Sequence, residues 1–518
     1  MEAPPPPLHG TPLILLTLAL GLATFMQVLD TSIANVSIPA IAGDLAASPN
    51  QGTWVITSFT VSCAIGMPLT GWLSRRFGEV RLFVLSCLLF TLASWLCGLA
   101  PNLPLLIAAR VMQGAVAGPL IPLSQSLLIA NYPPERKTFA LAVWSMTAVV
   151  APIMGPIMGG WLTDNFSWPW IFYINLPIGV LASFVTWQIL KHRETVRVSQ
   201  PIDTVGLVLL IVGVGTLQIM FDKGNELDWF ESSEIIALAV VSVVALTFLI
   251  AWELTEQHPV VDLHLYGGRT FFFGSVVISI GYMAYMGNIV MLPLWLQTNM
   301  GYTATWAGLV TAPIGILPLL LSTSLARHMH RFDLRLWGTV SFGVFAAISY
   351  WYSGFNTDVA VSNIVVPRVI QGIAVVTFFV PLTTLTLAGL PPHMIASASG
   401  LMSFTRYLGA GIGVSLSIAL WERRTAYHHS TLVENVTPFS PVTADTLSAI
   451  HAVGIDAPID LAVLDRLADH QAVMLATSDY FYFSAGLFVV LMLLVWFARP
   501  PKAARAATAT ATADAAAH

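Results

Sequence analysis

The segment Arg110-Val-Met-Gln-Gly114 decides the fold, because a near copy, Arg368-Val-Ile-Gln-Gly372, stands in the second half of the chain. In each copy a Pro-Leu pair follows, Pro122-Leu123 or Pro381-Leu382, and a Pro-Pro pair comes after that. Three matches in the same order and at nearly equal spacing indicate an internal duplication. The sequence therefore predicts a chain built from two equivalent halves.

The composition places both halves in a membrane. The 518 residues are 56% hydrophobic and only 9% charged, whereas soluble domains carry about 25% charged residues. The 22 Lys and Arg against 27 Asp and Glu leave no basic excess for a phosphate backbone. These numbers predict an integral membrane protein and disfavour a disordered, secreted or nucleic-acid-binding one.

Apolar runs long enough to cross a bilayer, about 20 residues each, occur about fourteen times along the chain. We therefore expect an all-α integral membrane fold of two six-helix bundles, spans 1–6 and 9–14, with spans 7 and 8 inserted between them. The predicted divisions are a tail (1–11), a first bundle (12–200), two inserted helices (201–260), a second bundle (261–498) containing an outer loop (422–478), and a disordered tail (499–518).

The distribution of basic residues predicts the orientation. If both termini are cytoplasmic, fifteen of the 22 Lys and Arg fall in cytoplasmic loops or the C-terminal tail, and the short outer loops hold only Lys223. Cytoplasmic loops of membrane proteins carry such an excess. Duplicated bundles around a central cavity are typical of secondary transporters that work by alternating access.

Four short motifs resemble one family of such transporters. Two lie in the first bundle's early spans: Leu29-Asp30-Thr31 to Pro39 in span 1, and Gly71 to Arg81 between spans 2 and 3, with Gly71, Arg75, Arg76, Gly78 and Arg81 as its marked positions. The others are Arg110 to Gly114 in span 4 and the span 5 segment with Pro152, Gly155, Pro156, Gly159 and Gly160. Together they resemble the major facilitator superfamily, in particular its fourteen-span drug:proton antiporters, over about residues 12–498.

The resemblance implies proton-coupled efflux of hydrophobic drugs or toxins across the bacterial inner membrane, by a multi-pass transporter that is not an enzyme. It is closest to the transporter subunits of three-part efflux pumps, which implies a periplasmic membrane-fusion adaptor (EmrA-type) and an outer-membrane channel (TolC-type) as partners. Arg75 stands where the family's signature loop usually has Asp. A gating carboxylate at that position is therefore not expected here.

Asp30 is the only acidic residue deep within a predicted span. A charge there costs roughly 2.5–3.5 kcal/mol even on the mildest scale, so it needs a reason. One interpretation is a proton carrier, with Arg110 as the partner that stabilises its ionised form. The other is a packing carboxylate paired with a buried Arg. Arg368 and Arg406 are further possible buried-charge partners, for which a structural role is the simpler interpretation.

In span 5, small residues and prolines repeat at intervals of four. Small residues at this spacing allow close helix contact, and prolines bend helices, so a gating role and a plain packing role are both open. The predicted substrate-cavity residues are polar, aromatic or methionine side chains, which suit broad apolar binding: Gln27, Gln125, Trp144, Met146, Tyr282, Tyr285, Met286 and Asn288.

Energy from a cofactor or nucleotide is not expected. Neither a nucleotide-binding Gly-x-x-x-x-Gly-Lys-Ser/Thr motif nor a His-Glu-x-x-His metal motif occurs in the sequence, so the proton gradient remains as the driving force, with no metal site. Residues 460–469 of the outer segment have helical periodicity with one apolar face. That segment either docks an adaptor or caps the bundle. Alternatives for the whole chain are export of a single metabolite such as a fatty acid, and a non-transporting sensor or scaffold.

Overall fold

The computed structural model of the chain describes residues 7–133, 136–195, 197, 201–256, 259–328, 332–390, 394–437, 439–452 and 459–499. All regular secondary structure in these ranges is helical, as the sequence predicts. Within these ranges, the half predicted to form spans 1–6 contains the helices α1 (Thr11–Ile33), α2 (Ile38–Asp44), α3 (Pro49–Phe77), α4 (Glu79–Gly98), α5 (Leu103–Ala117), α6 (Leu120–Asn131), α7 (Lys137–Asn165), α8 (Trp170–Tyr173) and α9 (Asn175–Leu190).

Two helices follow and then the second half. They are α10 (Thr204–Lys223) and α11 (Ser233–Glu253), then α12 (Arg269–Thr298), α13 (Ala304–Thr311), α14 (Ile316–His328), α15 (Leu334–Ser353), α16 (Val361–Leu387), α17 (Ile395–Val433), α18 (Pro441–Ala452) and α19 (Ile459–Leu494). Single 3₁₀ turns occupy Ala34–Val36, Trp229–Glu231, Leu263–Gly267, Ala312–Gly315 and Val495–Phe497.

Local sequence fixes where several helices start. Ser48 and Gln51 form a reciprocal capping box at α3, in which the Gln51 amide donates to Ser48 Oγ at 3.2 Å. Asn102 and Asp203 accept from the first-turn amides of α5 and α10 at 3.0 and 2.8 Å. Each such side chain satisfies a backbone donor that has no partner inside the helix.

Some predicted spans consist of two helices in series. Span 4 divides at Gly118 and Pro119 into α5 and α6, and span 10 divides at the 3₁₀ turn that contains Pro313. Proline lacks the amide that would continue the helical hydrogen bonds, which accounts for both positions. Within the described ranges, eleven helical segments are long and apolar enough to span a membrane, and α7, α15 and α17 supply three further long helices.

The helices pack as two groups. In the first, α1 lies against α7 and α9, and α3 lies against α5; in the second, α12 lies against α17, and α15 lies against α16 and α19. The helix pair α10 and α11 pack on each other, and α10 also contacts α3 and α17. We call the end of the molecule where α17 ends and α19 begins the loop end, and the opposite end the basic end.

The predicted outer loop 422–478 is mostly helix. Helix α17 continues to Val433 and α19 already begins at Ile459, so the two form an antiparallel extension beyond the predicted spans. Asp479 of α19 accepts from Arg424 Nε at 2.6 Å and lies 2.7 Å from His428 Nε2. The helical periodicity predicted for 460–469 is present, as the first turns of α19.

Large apolar side chains cover the outside of the helices. Ile14, Phe184, Val243, Phe248 and Leu320 each have more than half of their surface exposed. Soluble monomers rarely expose contiguous apolar patches of this kind. A surface of this composition is suited to contact with lipid chains.

Candidate functional site: a buried carboxylate–arginine cluster

Asp30 lies on α1 at the centre of the first bundle, with no exposed surface. Arg110 of α5, also fully buried, places Nη1 2.5 Å from Asp30 Oδ2. Gln113 Nε2 and Asn175 Nδ2 donate to Asp30 Oδ1 at 3.0 and 2.8 Å. Two helices, α5 and α9, therefore supply donors to a carboxylate on a third, α1.

Arg110 is held by more than its ion pair. Its Nε donates to the Val55 carbonyl oxygen on α3 at 2.9 Å, and Nη1 also donates to Gln113 Oε1 at 2.7 Å. The guanidinium carbon lies 4.2 Å from the ring centre of Phe59 and 5.5 Å from that of Phe172. Hydrogen bonds to ions, and cations over aromatic rings, stabilise charge away from water.

This arrangement suits reversible proton binding. A buried ion pair repays its desolvation only when further hydrogen bonds support it, and here both oxygens of Asp30 and the Nε and Nη1 atoms of Arg110 take part in such bonds. A proton on Asp30 would cancel one of the two charges and leave Arg110 without its counter-ion. The other contacts of Arg110, including the one with α3, would remain.

The second bundle repeats the cluster without the acid. The same number of positions separates Asp30 from Asn288 and Arg110 from Arg368. Asn288 Oδ1 accepts from Tyr480 Oη at 2.9 Å and Ser484 Oγ at 3.1 Å, and Arg368 Nη1 donates to Gln371 Oε1 at 2.7 Å. Among the described residues no carboxylate is paired with Arg368.

The span 5 motif lies at the contact between the bundles. A side chain at Gly155 would overlap Ser32, and one at Gly159 would overlap the Ile33 carbonyl, both in the span that carries Asp30. Gly160 faces the Ala304 carbonyl of the second bundle in the same way. This helix therefore touches both the bundle that holds the acid and its partner, through backbone contacts only glycine allows.

Further contacts close the loop end. Gly308 packs on the Pro156 carbonyl, the Thr305 amide donates to Asp164 Oδ2 at 2.7 Å, and Gln297 Nε2 donates to the Val36 carbonyl at 3.0 Å. The two bundles thus meet along this end. The side chain of Pro152 lies outside the described part of the structure.

The signature loop uses a carboxylate that the sequence did not indicate. Glu194, after α9, accepts from the amides of Val80 and Arg81 at 3.0 Å each, at the positive end of α4. Gly71, Arg75, Arg76 and Arg81 are exposed at this end, and Gly78 has a φ of 91° with Glu194 where a side chain would be. No motif could reveal Glu194, because it is more than a hundred residues away in the chain.

The predicted cavity residues fall into separate groups. Tyr282 and Tyr285 have ring centres 6.0 Å apart and both contact Phe379. The guanidinium of Arg406 lies 5.4 Å from the ring of Tyr282, and Met286 packs beside this group. Trp144 lies on the first bundle, where its Nε1 is 3.0 Å from both Thr24 Oγ1 and Ser124 Oγ.

Gln27 is buried one turn from Asp30, and its Oε1 has no partner in the described structure. Gln125 is half-buried, and Asn288 belongs to the second-bundle cluster described above. The side chain of Met146 lies outside the described residues. No group of three or more His, Cys, Asp or Glu suited to a metal ion occurs among the residues that the structure describes.

A further acidic residue was missed by the sequence reasoning. Asp222, at the last turn of α10, accepts hydrogen bonds from α3 and α17. It is the last residue of the predicted span 204–222, so it did not count as an acid deep within a span. Gln218 could have indicated Asp222, because the two polar residues are four positions apart and therefore share a face of the helix.

Comparisons with known proteins agree with this architecture. The model of the Major Facilitator Superfamily matches residues 20–414. The chain is 52% identical over 497 residues to the multidrug export protein EmrB of Haemophilus influenzae, covering 96% of this chain and 98% of that protein. It is 50% identical over 496 residues to the fatty acid resistance protein FarB of Neisseria gonorrhoeae, again covering 96% and 98%.

Solved structures share the fold. A peptide transporter POT in complex with sulfate gives a TM-score of 0.63 at 12% identity, covering 95% of this chain and 96% of that one. A bacterial homologue of the human lysosomal transporter Spinster, inward-facing and unoccupied, gives 0.59 at 15% identity, covering 95% and 99%. The predicted all-α membrane fold is confirmed, and the chain belongs to the Major Facilitator Superfamily.

Proposed function

We propose that the protein exports hydrophobic drugs or toxins across the bacterial inner membrane in exchange for protons. The observation that carries the proposal is the fully buried Asp30–Arg110 pair, whose acid is surrounded by donors from α5 and α9. About 50% identity to the EmrB and FarB proteins over nearly the whole chain supports the export role. No cofactor is part of the proposal.

The coupling of proton movement to substrate movement depends on which conformation of the protein each of them stabilises. Proton and substrate exchange for one another only if they stabilise different conformations or compete for one. A proton on Asp30 frees Arg110, whereas ionised Asp30 holds α1, α5 and α9 together. Each inward proton contributes about 2.3 kcal/mol per 100 mV of membrane potential, which the cycle converts into outward movement of substrate.

The proposed orientation places both termini and the basic end in the cytoplasm and the loop end in the periplasm. The loop-end contacts of α7 with α13 would then close the periplasmic side in the state described. Substrate would enter from the cytoplasmic side, beside Trp144 of the first bundle and the Tyr282–Tyr285–Arg406 group of the second.

We further propose the partners of a three-part pump, an adaptor of the EmrA type and an outer-membrane channel of the TolC type. The helical extension of α17 and α19 supports an adaptor contact, because the segment that joins the two helices, which includes α18, displays apolar side chains. Phe439 is 95% exposed and Val442 74% exposed. Phe439→Ser with Val442→Ser should reduce adaptor co-purification and leave transport in liposomes unchanged; loss of transport instead would assign the extension to the transporter itself.

The second candidate is a narrow exporter of fatty acids, favoured by the 50% identity to FarB. Substrate-triggered proton movement in sealed proteoliposomes tests both, with hydrophobic drugs and a long-chain fatty acid as separate probes. Movement with several drugs supports broad export, and movement with the fatty acid alone supports the narrow exporter. A protein that moves no protons with any probe, yet folds and tolerates Asp30→Asn, would be a sensor or scaffold.

A further inference from the structure

A second acid joins the two bundles near the loop end. Asp222 Oδ2 accepts from Thr57 Oγ1 of α3 at 3.0 Å, and Oδ1 accepts from Gln218 Nε2 at 2.8 Å. Ser415 of α17 also donates to Oδ1. Thr57, Gln218 and Ser415 are 0%, 4% and 5% exposed, and Asp222 itself is half-buried, at the place where α10 lies between a helix of each bundle.

No cation accompanies this acid. Among the described residues, none of the ion pairs includes Asp222, and Lys223 beside it is paired with Glu234 of α11 at 3.0 Å. Glu226, in the turn after α10, lies near Asp222, and Glu422 of α17 accepts from Asn225 of the same turn; both groups are acidic. On α3 the segment 49–61 contains no ionisable side chain. Enclosing an unpaired carboxylate is costly, unlike enclosing Asp30 beside Arg110.

The surrounding groups can accommodate a proton on Asp222. Thr57 Oγ1 also lies 3.4 Å from the Trp54 carbonyl, and Ser415 Oγ lies 3.2 Å from the Gly411 carbonyl. Each hydroxyl can therefore give its hydrogen to the backbone and accept one from the acid. The Oε1 atom of Gln218 is buried without a partner, which leaves one more acceptor beside the carboxyl group.

Both acids also act on the same helix. Val55 of α3 receives the Arg110 hydrogen bond, and Thr57, two residues later, binds Asp222. On the other side, Gly411 of α17 approaches Val61 of α3 and Gln218 of α10 closely. The Asp222 site thus lies where α3 and α17 must separate when the bundles part at the loop end.

We propose that Asp222 is a second proton-binding residue of the transport cycle, ionised when the loop end is open to water and protonated when it is closed. Binding a proton there stabilises the closed loop end, since only the closed state encloses the carboxyl group. Asp222 then takes up a proton as the loop end closes and releases it to the same side as that end opens, while Asp30 carries the proton that crosses the membrane. The direction of this exchange rests on the proposed function, but the site and its link to closure do not.

The test measures closure and protonation directly. Spin labels go on cysteines introduced at Ser48 of the first bundle and Ala426 of α17, both exposed at the loop end, while the three native cysteines are buried. In the Asp30→Asn background, acidification from about pH 8 to pH 6 should shift the distances towards the short, closed population. Adding Asp222→Asn, whose neutral amide resembles the protonated acid, should keep that population dominant at both pH values. Glu231→Gln, an exposed acid in the following loop, is the matched control.

Infrared spectra of otherwise unmodified protein near neutral pH supply the second measurement. The carbonyl absorption of protonated carboxyl groups should be the same in the wild type and in Asp30→Asn, and should lose one component in Asp222→Asn. Identical distance distributions in Asp222→Asn and Glu231→Gln, or carbonyl absorption unchanged by Asp222→Asn, would overturn the proposal. Failure of substrate-linked proton movement would instead overturn the proposed function, since neither measurement here requires substrate.

Discussion

The two bundles present the same arginine–glutamine pair in two different electrostatic settings. In the first, Arg110 and Gln113 face an aspartate; in the second, Arg368 and Gln371 stand in the repeat that has Asn288 instead. The helix arrangement around each pair is equivalent, so the difference isolates a single carboxylate. The two halves share the helix arrangement but not the carboxylate, so the proton-binding role that we propose for Asp30 has no counterpart at Asn288.

The largest effect should come from removing that carboxylate. Asp30→Asn should reduce substrate-triggered proton movement to the level of protein-free liposomes, because no titrating group remains beside Arg110. Asn288→Ala, the matched change in the second bundle, should leave it within a few-fold of the wild type. Equal losses in both variants would show that the two halves share the coupling role. Size-exclusion profiles establish that both variants are folded.

The second-largest difference should be between the stability effects of replacing Arg110 and Arg368. Arg110→Met strands a buried, ionised Asp30, which costs about 3–5 kcal/mol. Arg368→Met removes one hydrogen bond to Gln371, worth about 1.5–3 kcal/mol, and relieves an unpaired buried cation, so the two changes partly cancel. Apparent melting temperatures in lipid nanodiscs should therefore fall clearly further for Arg110→Met. An equal or larger fall for Arg368→Met would mean that its charge has a counter-ion.

A smaller contrast separates the amide and hydroxyl donors. Asn175→Ala removes a hydrogen bond to an ionised carboxylate, worth about 1.5–3 kcal/mol, whereas Ser484→Ala removes one between neutral groups, worth about 0.5–1.5 kcal/mol. The same melting measurement should rank them in that order. The opposite ranking would indicate that Asp30 is uncharged in the resting protein.

The smallest effect concerns the caps of two equivalent helices, α4 and α15. Glu194 reaches α4 from a distant segment with both oxygens, while Asp333 caps α15 locally and pairs with Arg335 at 2.6 Å. Glu194→Gln should cost about 0.3–1 kcal/mol of helix-end stabilisation. Asp333→Asn should cost more, because Asn keeps the cap but removes the ion pair with the buried Arg335. Amide hydrogen exchange in the first turns of α4 and α15 measures both, and faster exchange at α4 would reverse the ranking.

The sequence predicts the parts of this molecule that repeat or are apolar. Hydropathy and the Arg-x-x-Gln-Gly duplication were enough for the spans and the two halves, and a lone acid in span 1 was enough to single out Asp30. Its partner Arg110 was named because basic residues inside spans are few. The structure brings the two together; their role in coupling stays a prediction.

The remaining features depend on contacts between residues far apart in the chain. Glu194 and Asp222 act through segments that meet only in the folded protein, and neither carries a local motif. The outer segment was predicted as a loop because its helices are polar on one side. A hydropathy profile does not distinguish such helices from a loop between two spans. These features depend on the distances between residues far apart in the chain, and a single sequence does not give those distances.

The equal spacing of Asp30 and Asn288 also has a genetic consequence. Codons for aspartate and asparagine differ in their first base alone, so one base substitution can place the acid in either half of the gene. A resistance selection begun from Asp30→Asn therefore has a short mutational route to an acid at position 288. Whether survivors take that route, or only revert at position 30, would show if the two halves are still interchangeable.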